Sequence, residues 1–362
     1  MNAMTRRIVI GTAAVSMALT MAACGKTGSD KGSDSGSKGK TIGLLLPENQ
    51  TTRYEKFDRP LMEAKIKALC SDCKVDYDNA AGDATKQAQQ VSAMVAKGVK
   101  VLILDPEDSV GIKSSVQSAV AKGVKVIAYD RLAEGPVSAY VSYDNEKIGE
   151  QQGQSLLDAM GANAKPTSKI VMIDGDPADP NAAGFKAGAH KVLDGKVDIA
   201  YEQSGLWKDT VANQKVTAAI TSLGAKNIKG VYSANDGMAG GIATALAGAG
   251  INVPLTGQDA ELPGVQRILA GKQSATIFKA YKPQAEAAAE IAVDIVNGKS
   301  FTSVADTTTK SLSGQTVPTK ILPAVTVTKA NIETAIVQSG LWTAAQICTP
   351  QLAAACTAAG IK

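Results

Sequence analysis

The sequence predicts an α/β fold of two doubly wound, parallel-sheet lobes that are joined by a hinge. Its 362 residues exceed one typical domain and suit two. Apolar runs alternate with helix-like patterns along most of the chain, which is the order that parallel sheets require. These runs are rich in Val, Ile and Leu without strict polar alternation, as in strands that are buried on both faces.

The first lobe is predicted from four strand-like runs and the helical patterns between them. The runs are KTIGLLLP, KVDYDNA, VKVLILD and VKVIAYD. Helices are predicted at Tyr54–Cys70, Asp83–Ala96 and Val110–Ala121. The segment AKGVKV begins at residue 96 and again at residue 121, 25 residues later. Because this period does not continue, it marks neighbouring strand–helix units rather than a solenoid repeat.

The second lobe repeats the alternation after YVSYDNEKIG. Its predicted strands are KIVMIDGDP, VDIAYEQ, GVYSANDG, PLTGQDA and ATIFKAY. Helices are predicted between them at 181–194, 208–224, 237–250 and 262–271. A further helix, QAEAAAEIAVDIVNG, and a late strand, KILPAVTVTK, follow. Two such lobes leave a cleft, and ligands of open parallel sheets bind beyond the carboxyl ends of the strands.

The N-terminus reads as a targeting segment. Arg6 and Arg7 precede the apolar stretch Ile8–Ala22, which is shorter than the roughly 20 residues of a membrane span. The stretch ends in MAACG, where small residues before Cys24 resemble a bacterial lipobox. Cys24 is therefore expected to carry a lipid. An ordinary cleavage site that happens to precede a cysteine is the alternative, and the paired arginines leave twin-arginine export open.

A tether and two discontinuous lobes complete the predicted organisation. The Gly-, Ser-, Lys- and Asp-rich run up to residue 40 cannot bury a core, so it is interpreted as a flexible tether. The predicted boundaries are a lipoprotein signal peptide at 1–23, a tether at 24–40, an N-terminal lobe at 41–146 plus 282–310, and a C-terminal lobe at 147–281 plus 311–362.

The four remaining cysteines favour disulfides, because their number is even and an exported chain meets an oxidising compartment. Three pairings are possible. The local pairing, Cys70 with Cys73 and Cys348 with Cys356, is the simplest because it joins cysteines that are close in the sequence. The CxxC at residue 70 could instead be a redox centre, but it lacks the aromatic or proline context of thioredoxin-like sites.

Several function classes are excluded by what the sequence lacks. The net charge of +4 falls to +2 without Arg6 and Arg7, so no nucleic-acid-binding patch is predicted. His190 is the only histidine, and no hydrolase, metalloprotease or P-loop motif occurs. The run IDGDPADPN lacks ligands at two calcium-loop positions. We therefore expect no catalytic residues, no metal and no cofactor.

Polar and aromatic side chains follow the ends of the predicted strands, where the cleft should lie. Carboxylates, amides and guanidinium groups suit hydroxyls that both donate and accept, and aromatic rings suit the apolar faces of a pyranose. Singly, each could be a helix cap or a surface ion pair. The candidate ligand-binding residues are Arg53, Tyr54, Asp130, Arg131, Asp179, Asn181, Trp207, Asn235, Asp259 and Lys279.

These strand-end segments resemble a known family over nearly the whole mature chain. The matching stretches are VIAYDRL, YVSYDNEKIGE, SANDGMAGG, TGQDAEL and ATIFK. The chain is similar to type I periplasmic-binding-protein sugar receptors of ABC importers. It looks closest to the D-xylose-binding group and its multi-sugar-binding relatives. The segments GQDAEL and TIFK look slightly closer to the multi-sugar relatives.

The resemblance implies a role for each candidate. Hydrogen bonds to sugar hydroxyls are implied for Arg53, Arg131, Asn235, Asp259 and Lys279. Asp179 and Asn181 would bond the sugar from the second lobe, with Asp130 as a direct partner or as the residue that orients Arg131. Tyr54 and Trp207 would stack on the ring, although the xylose group usually carries Trp at the Tyr54 position.

The implied function is capture of a monosaccharide, D-xylose first, by hinge closure. A lipid-anchored monomer on the outer face of the cytoplasmic membrane would deliver the sugar to an ABC importer permease. Hinge crossings are expected near Asn145, Tyr281 and Leu312. The alternatives are a receptor for glucose, galactose or arabinose, a sugar-sensing co-receptor for a membrane signalling protein, and an exported sugar-acting enzyme.

Overall fold

A computed structural model describes residues 40–362 of the chain. The predicted signal peptide, Cys24 and nearly all of the predicted tether lie outside the described residues. Within residues 40–362, the structure contains no helix with the length and apolar character needed to cross a membrane.

Strands and helices alternate through most of the described chain. The strands are β1 Thr41–Leu46, β2 Lys74–Asn79, β3 Val101–Leu104, β4 Lys125–Tyr129, β5 Ala139–Tyr143, β6 Lys169–Asp174, β7 Asp198–Ser204, β8 Ile228–Ser233, β9 Thr256–Gln258, β10 Ala275–Lys279, β11 Thr307–Lys310, β12 Thr316–Leu322 and β13 Ala324–Val327. The helices are α1 Arg59–Leu69, α2 Ala84–Lys97, α3 Lys113–Ala121, α4 Asn145–Met160, α5 Pro180–Leu193, α6 Asp209–Leu223, α7 Asp236–Gly248, α8 Leu262–Leu269, α9 Tyr281–Val296, α10 Ala344–Ile347 and α11 Ala353–Ala358.

The first lobe is built on a sheet with the order β11-β12-β5-β4-β3-β1-β2. All neighbouring strands are parallel except the edge pair of β11 and β12. The inner strands β3 and β4 are buried along almost their whole length, because helices cover both faces of the sheet. The apolar runs without alternation reflect this double burial.

The second lobe contains two ladders, β7-β6-β8 and β13-β10-β9. The first is parallel throughout, whereas β13 runs antiparallel to β10. One parallel bridge between Val231 and Leu255 connects the ladders. The described residues therefore form two parallel-dominated sheets with helices packed against them. The fold class predicted from the sequence is confirmed.

The prediction of one late strand from KILPAVTVTK is wrong, because the run forms two strands. Pro323 has no N–H to donate to a ladder, so the run divides there into β12 and β13. Strand β12 pairs with β5 in the first sheet, and β13 pairs with β10 in the second. Residues 316–322 thus belong to the first lobe, where a boundary at 311 had placed them in the second. The third crossing lies at Pro323 and not near Leu312.

The other two crossings lie where they were expected. The chain leaves the first sheet at the end of β5 and enters α4 at Asn145. It returns between β10 and α9, at Tyr281. The hydroxyl of Tyr143 donates to the carbonyl oxygen of Ala280 at 2.7 Å, so these two crossings are held side by side. Neither β5 nor α4 was predicted as an element, and π-helical backbone occupies Tyr54–Asp58 before α1 begins.

Disulfides join neighbouring cysteines in the structure. Cys70 is bonded to Cys73 in the turn between α1 and β2, and Cys348 is bonded to Cys356 between α10 and α11. This is the local pairing among the three that the sequence allowed. Both bonds close short loops, so each constrains only its own turn.

Helices α4 and α5 of the second lobe approach closely because glycines face each other at their contact. A Cβ atom at Gly149 would overlap the carbonyl oxygen of Phe185, and one at Gly188 would overlap that of Glu146. Gly153 lies one turn further along α4 and is less crowded. A Cβ atom added there would lie 3.3 Å from its nearest neighbour, the carbonyl oxygen of Ala189. Backbone contact of this kind tolerates no side chain.

We expect Gly149→Ala to lower the free energy of unfolding by about 2 kcal/mol, because the helices must separate to admit the methyl group. Gly153→Ala is the matched control on the same helix. Its gain in helix propensity, up to about 1 kcal/mol, offsets the tighter contact. Urea unfolding followed by circular dichroism measures both. Equal losses in the two variants would contradict the packing argument.

Candidate ligand-binding site

One polar cavity lies between the lobes and brings all ten predicted residues together. Its lining combines charged groups of both lobes with aromatic rings. Its walls also include Thr51, Phe185 and Gln258, which were not among the candidates. Gln258 could have been selected because it adjoins Asp259 at a strand end. Phe185 lies within a helix, where a core role was the natural interpretation.

The fold positions these side chains at the carboxyl edges of the two sheets. Asp130 and Arg131 directly follow β4, and Lys279 ends β10. Asp179 caps α5 by accepting from Asn181 N at 2.8 Å. Asn235 caps α7 by accepting from Met238 N at 2.9 Å. The helix-cap interpretation of the sequence is therefore correct for two residues that also line the cavity.

Three cavity residues have left-handed backbone conformations. The φ angles are 57° at Asp130, 57° at Trp207 and 92° at Asp259. Residues other than glycine rarely adopt this region, and strain of this kind clusters at functional sites. Trp207 also needs Gly175, because a Cβ at that position would overlap the indole ring. The local backbone thus turns three side chains toward the cleft.

Arg53 is buried and bonded almost entirely to the protein. Its Nε donates to Asp58 Oδ2 at 2.7 Å, and Nη1 donates to Asp130 Oδ1 at 2.7 Å. Its Nη2 donates to Gln284 Oε1 at 2.7 Å. One Nη1 hydrogen is left without a partner among residues 40–362. Sequence reasoning missed Asp58 and Gln284, which lie outside the cavity and hold Arg53 from behind.

Asp130 is the centre of this network. Besides Arg53, it accepts from Gln284 Nε2 at 3.1 Å and from Asn181 Nδ2, in the other lobe, at 3.2 Å. Burial alone would raise its pKa, but Arg53, Lys279 and the bond from Gln284 outweigh burial and lower the pKa. Asp130 therefore stays ionised and offers a charged acceptor within the cavity.

Arg131 reaches across the cleft and is held less tightly. Its Nε lies 3.0 Å from Asp179 Oδ2, although the N–H is not aligned with that oxygen. Nη1 donates to Pro106 O at 3.1 Å, and the contact of Nη2 with the Tyr54 hydroxyl is longer, at 3.4 Å. Unlike Arg53, this guanidinium has no bond as short as 2.7 Å among its described partners.

The second lobe adds a cation, an acceptor and an aromatic wall. Lys279 Nζ lies 3.1 Å from Asp259 Oδ1 and 5.4 Å from the centre of the Phe185 ring. The Phe185 ring meets Trp207 edge to face at 6.4 Å. The indole Nε1 of Trp207 and Oε1 of Gln258 are buried without a hydrogen-bond partner among residues 40–362. A donor and an acceptor are therefore available within the same cavity.

This arrangement suits binding of a small, neutral, polyhydroxylated molecule. Carboxylates and guanidinium groups both line the cavity, so a hydroxyl can donate to the first and accept from the second. Aromatic rings provide apolar walls. The direct roles of the ten candidates stay predictions, and Arg53 acts at least as the residue that orients Asp130.

We expect Asp58→Asn to lower the free energy of unfolding by about 3 kcal/mol, because it removes one charge partner of a buried guanidinium. Asp158→Asn, an exposed carboxylate on α4, is the control and should change stability by no more than about 0.5 kcal/mol. Urea titration of both variants provides the measurement. Unchanged stability of the Asp58 variant would show that the Arg53 network is dispensable.

Comparison with known proteins gives a consistent result. Residues 42–300 match the family model described as periplasmic binding protein domain. The D-xylose-binding periplasmic protein of Escherichia coli is 33% identical, over 83% of this chain and 90% of its own length. The multiple sugar-binding periplasmic protein of Azospirillum brasilense is 34% identical, over 84% of this chain and 90% of its own.

A solved structure agrees with these relatives. The solute-binding protein of a carbohydrate transporter from Chloroflexus aurantiacus, in complex with D-glucose, superposes with a TM-score of 0.76 at 28% identity. The match covers 85% of this chain and 98% of that one. The chain therefore belongs to the periplasmic binding protein family, whose members are receptors rather than enzymes, and it has their type I two-lobe fold.

Proposed function

We propose that this protein captures a monosaccharide outside the cytoplasmic membrane and delivers it to an ABC importer. The observation that carries the proposal is the single cavity in which buried charged groups of both lobes and aromatic walls meet. The names of the relatives support it, since they bind D-xylose or several sugars. Membership of the family implies an extracytoplasmic location.

The enclosure and charge of the cavity favour one sugar ring. Buried side chains of both lobes line the cavity, whereas a long oligosaccharide would require an open groove. Cations and carboxylates are paired, Arg53 with Asp130 and Lys279 with Asp259. A strongly charged ligand would disrupt these pairs, and a neutral one would add hydrogen bonds to them.

Hinge closure is the proposed mechanism. Several contacts cross the cleft, among them Arg131 with Asp179, and Asn181 with Asp130. Such contacts exist only while the lobes are together, so a sugar that bonds to both lobes stabilises the closed form through differential contacts. The permease would recognise the surface of that closed form.

D-xylose is the first candidate sugar. The relatives named for D-xylose match this chain over most of its length. A receptor for another aldose, such as glucose, galactose or arabinose, is the alternative. The solved relatives in complex with glucose and the relatives that bind several sugars support that alternative.

We also propose that a lipid on Cys24 anchors the protein to the outer face of the cytoplasmic membrane, where it acts as a monomer. The support is the MAACG sequence and the polar run that follows it. A tethered receptor would remain near its permease, and a long polar linker would leave the lobes free to close.

Calorimetric titration with xylose, glucose, galactose, arabinose and ribose tests the binding proposal. We expect micromolar or tighter affinity for at least one sugar, and no heat with any of them would refute the proposal. Arg131→Ala should weaken the best sugar by about 2 kcal/mol or more, roughly thirtyfold in Kd, because buried partners are left unpaired. Arg59→Ala, at a half-buried position on α1 that does not line the cavity, should leave Kd within about twofold.

Cys24→Ser tests the anchor. In an export-competent bacterial host, the wild-type chain should partition with the membrane fraction and carry a mass consistent with an acylated N-terminal cysteine. The variant should appear in the soluble extracytoplasmic fraction, since the thiol that accepts the lipid is gone. Sugar affinity should be the same for both. A soluble, unmodified wild-type chain would contradict the anchor and leave the binding proposal intact.

A further inference from the structure

Asp105 is a buried carboxylate behind the cavity whose charge no described neighbour neutralises by a hydrogen bond. It follows β3 directly and its side chain has no solvent exposure. Its backbone is well held, because its N–H donates to Leu45 O at 2.9 Å and its carbonyl accepts from Gln87 Nε2 at 2.8 Å. Neither carboxylate oxygen has a hydrogen-bond partner among residues 40–362. Burying a carboxylate in this way is costly.

The nearest cation to Asp105 is Arg131. Its Nε lies 3.8 Å from Asp105 Oδ1 and 3.0 Å from Asp179 Oδ2, and the single Nε hydrogen is aligned with neither. Asp105 and Arg131 follow the neighbouring strands β3 and β4 of the first lobe, whereas Asp179 belongs to the second lobe. The guanidinium of Arg131 therefore lies between the carboxylates of Asp105 and Asp179. When the lobes move, the distance from Arg131 to Asp179 changes and the distance to Asp105 does not have to.

The other charged groups that face Asp105 do not provide a second cation for it. Arg53 is taken by Asp58 and Asp130. Asp130 and Asp179 add negative charge near Asp105. Glu107, two residues further along, lies 3.4 Å from Arg131 Nη1 and competes for the same cation. Tyr54 faces the same region with a neutral hydroxyl. In the closed form, negative charge around Arg131 is in excess.

We propose that Asp105 is the positioning residue of Arg131 and that it links sugar affinity to pH. While the lobes are apart, the Asp105 carboxylate pairs with Arg131 Nε and holds the guanidinium at the edge of the cleft. When the lobes close on a sugar, Asp179 takes over Arg131, and one proton from solvent binds to Asp105. The inference rests on the proposed function, since it needs closure on a ligand.

The direction of the linkage follows from the closed form. Burial raises the pKa of Asp105 well above its usual value, and this outweighs the opposing effect of Arg131. The closed form then binds more protons than the open form, in which water reaches the cleft and Arg131 is free to pair. Affinity is therefore greatest at low pH and falls as the pH rises through the pKa of the closed form, by at most about tenfold per pH unit.

Calorimetry of the wild-type protein tests the linkage directly. The best sugar of the panel is titrated near pH 7 in two buffers that differ in ionisation enthalpy. We expect a difference in heat between the two buffers that corresponds to net uptake of protons when the sugar binds. We also expect Kd to increase as the pH of the titration is raised. If the sugar binds with equal heats in both buffers and Kd does not change with pH, the inference is overturned and the proposed function is unaffected.

Asp105→Asn identifies the residue. Asn has the shape of the protonated carboxyl, so the variant should bind the sugar without proton uptake and with an affinity that does not change with pH. At high pH it should bind more tightly than the wild type. A residue that only supports the fold would weaken binding at every pH. Persistent proton uptake in this variant would overturn the assignment.

Glu261→Gln is the matched control, because Glu261 is a buried carboxylate of the second lobe whose contact crosses the cleft. It accepts from Thr52 N at 3.3 Å, and burial raises its pKa to about 8. Proton uptake on binding should persist in this variant. If it disappears here and remains in Asp105→Asn, Glu261 carries the linkage and the inference is wrong. If no sugar in the panel binds the wild type, the proposed function fails first.

Discussion

The buried guanidinium of Arg53 is the interaction on which the cavity depends. It connects three elements of the first lobe: the segment after β1 that carries Arg53, the end of β4 through Asp130, and α9 through Gln284. Removing a charge of this kind from water is tolerated only when its donors are satisfied, and here nearly all are. The same bonds keep Asp130 ionised and fixed, so the first lobe presents a prepared half-site to the cleft.

The second half-site is prepared by backbone strain rather than by charge pairing alone. Trp207 and Asp259 adopt left-handed conformations that cost free energy in an isolated chain. Rigid strands and caps on either side hold them there, which means that little reorganisation is left for the moment of binding. In the first lobe, Arg131 is the exception to this preparation. Its long contacts let it respond to the position of the opposite lobe.

The sequence predicts the fold and the cavity walls well because both depend on local patterns. Strand ends in a parallel sheet converge in space, so residues such as Asp130 and Lys279 can be found without coordinates. The partners behind them could not be found. Asp58 and Gln284 lie in helical stretches where polar residues usually face water, and only tertiary packing turns them inward. The split at Pro323 was visible in the sequence, but which sheet each half joins depends on pairing between distant strands.

The three crossings have a consequence for how this chain can fold. Neither lobe is a continuous stretch of the chain. The first sheet includes β12, residues 316–322, which follows most of the second lobe in the sequence. The first sheet is therefore incomplete until nearly nine-tenths of the chain is available. Contacts between residues so far apart in sequence form slowly. The topology thus postpones completion of the first lobe until almost the whole chain is present.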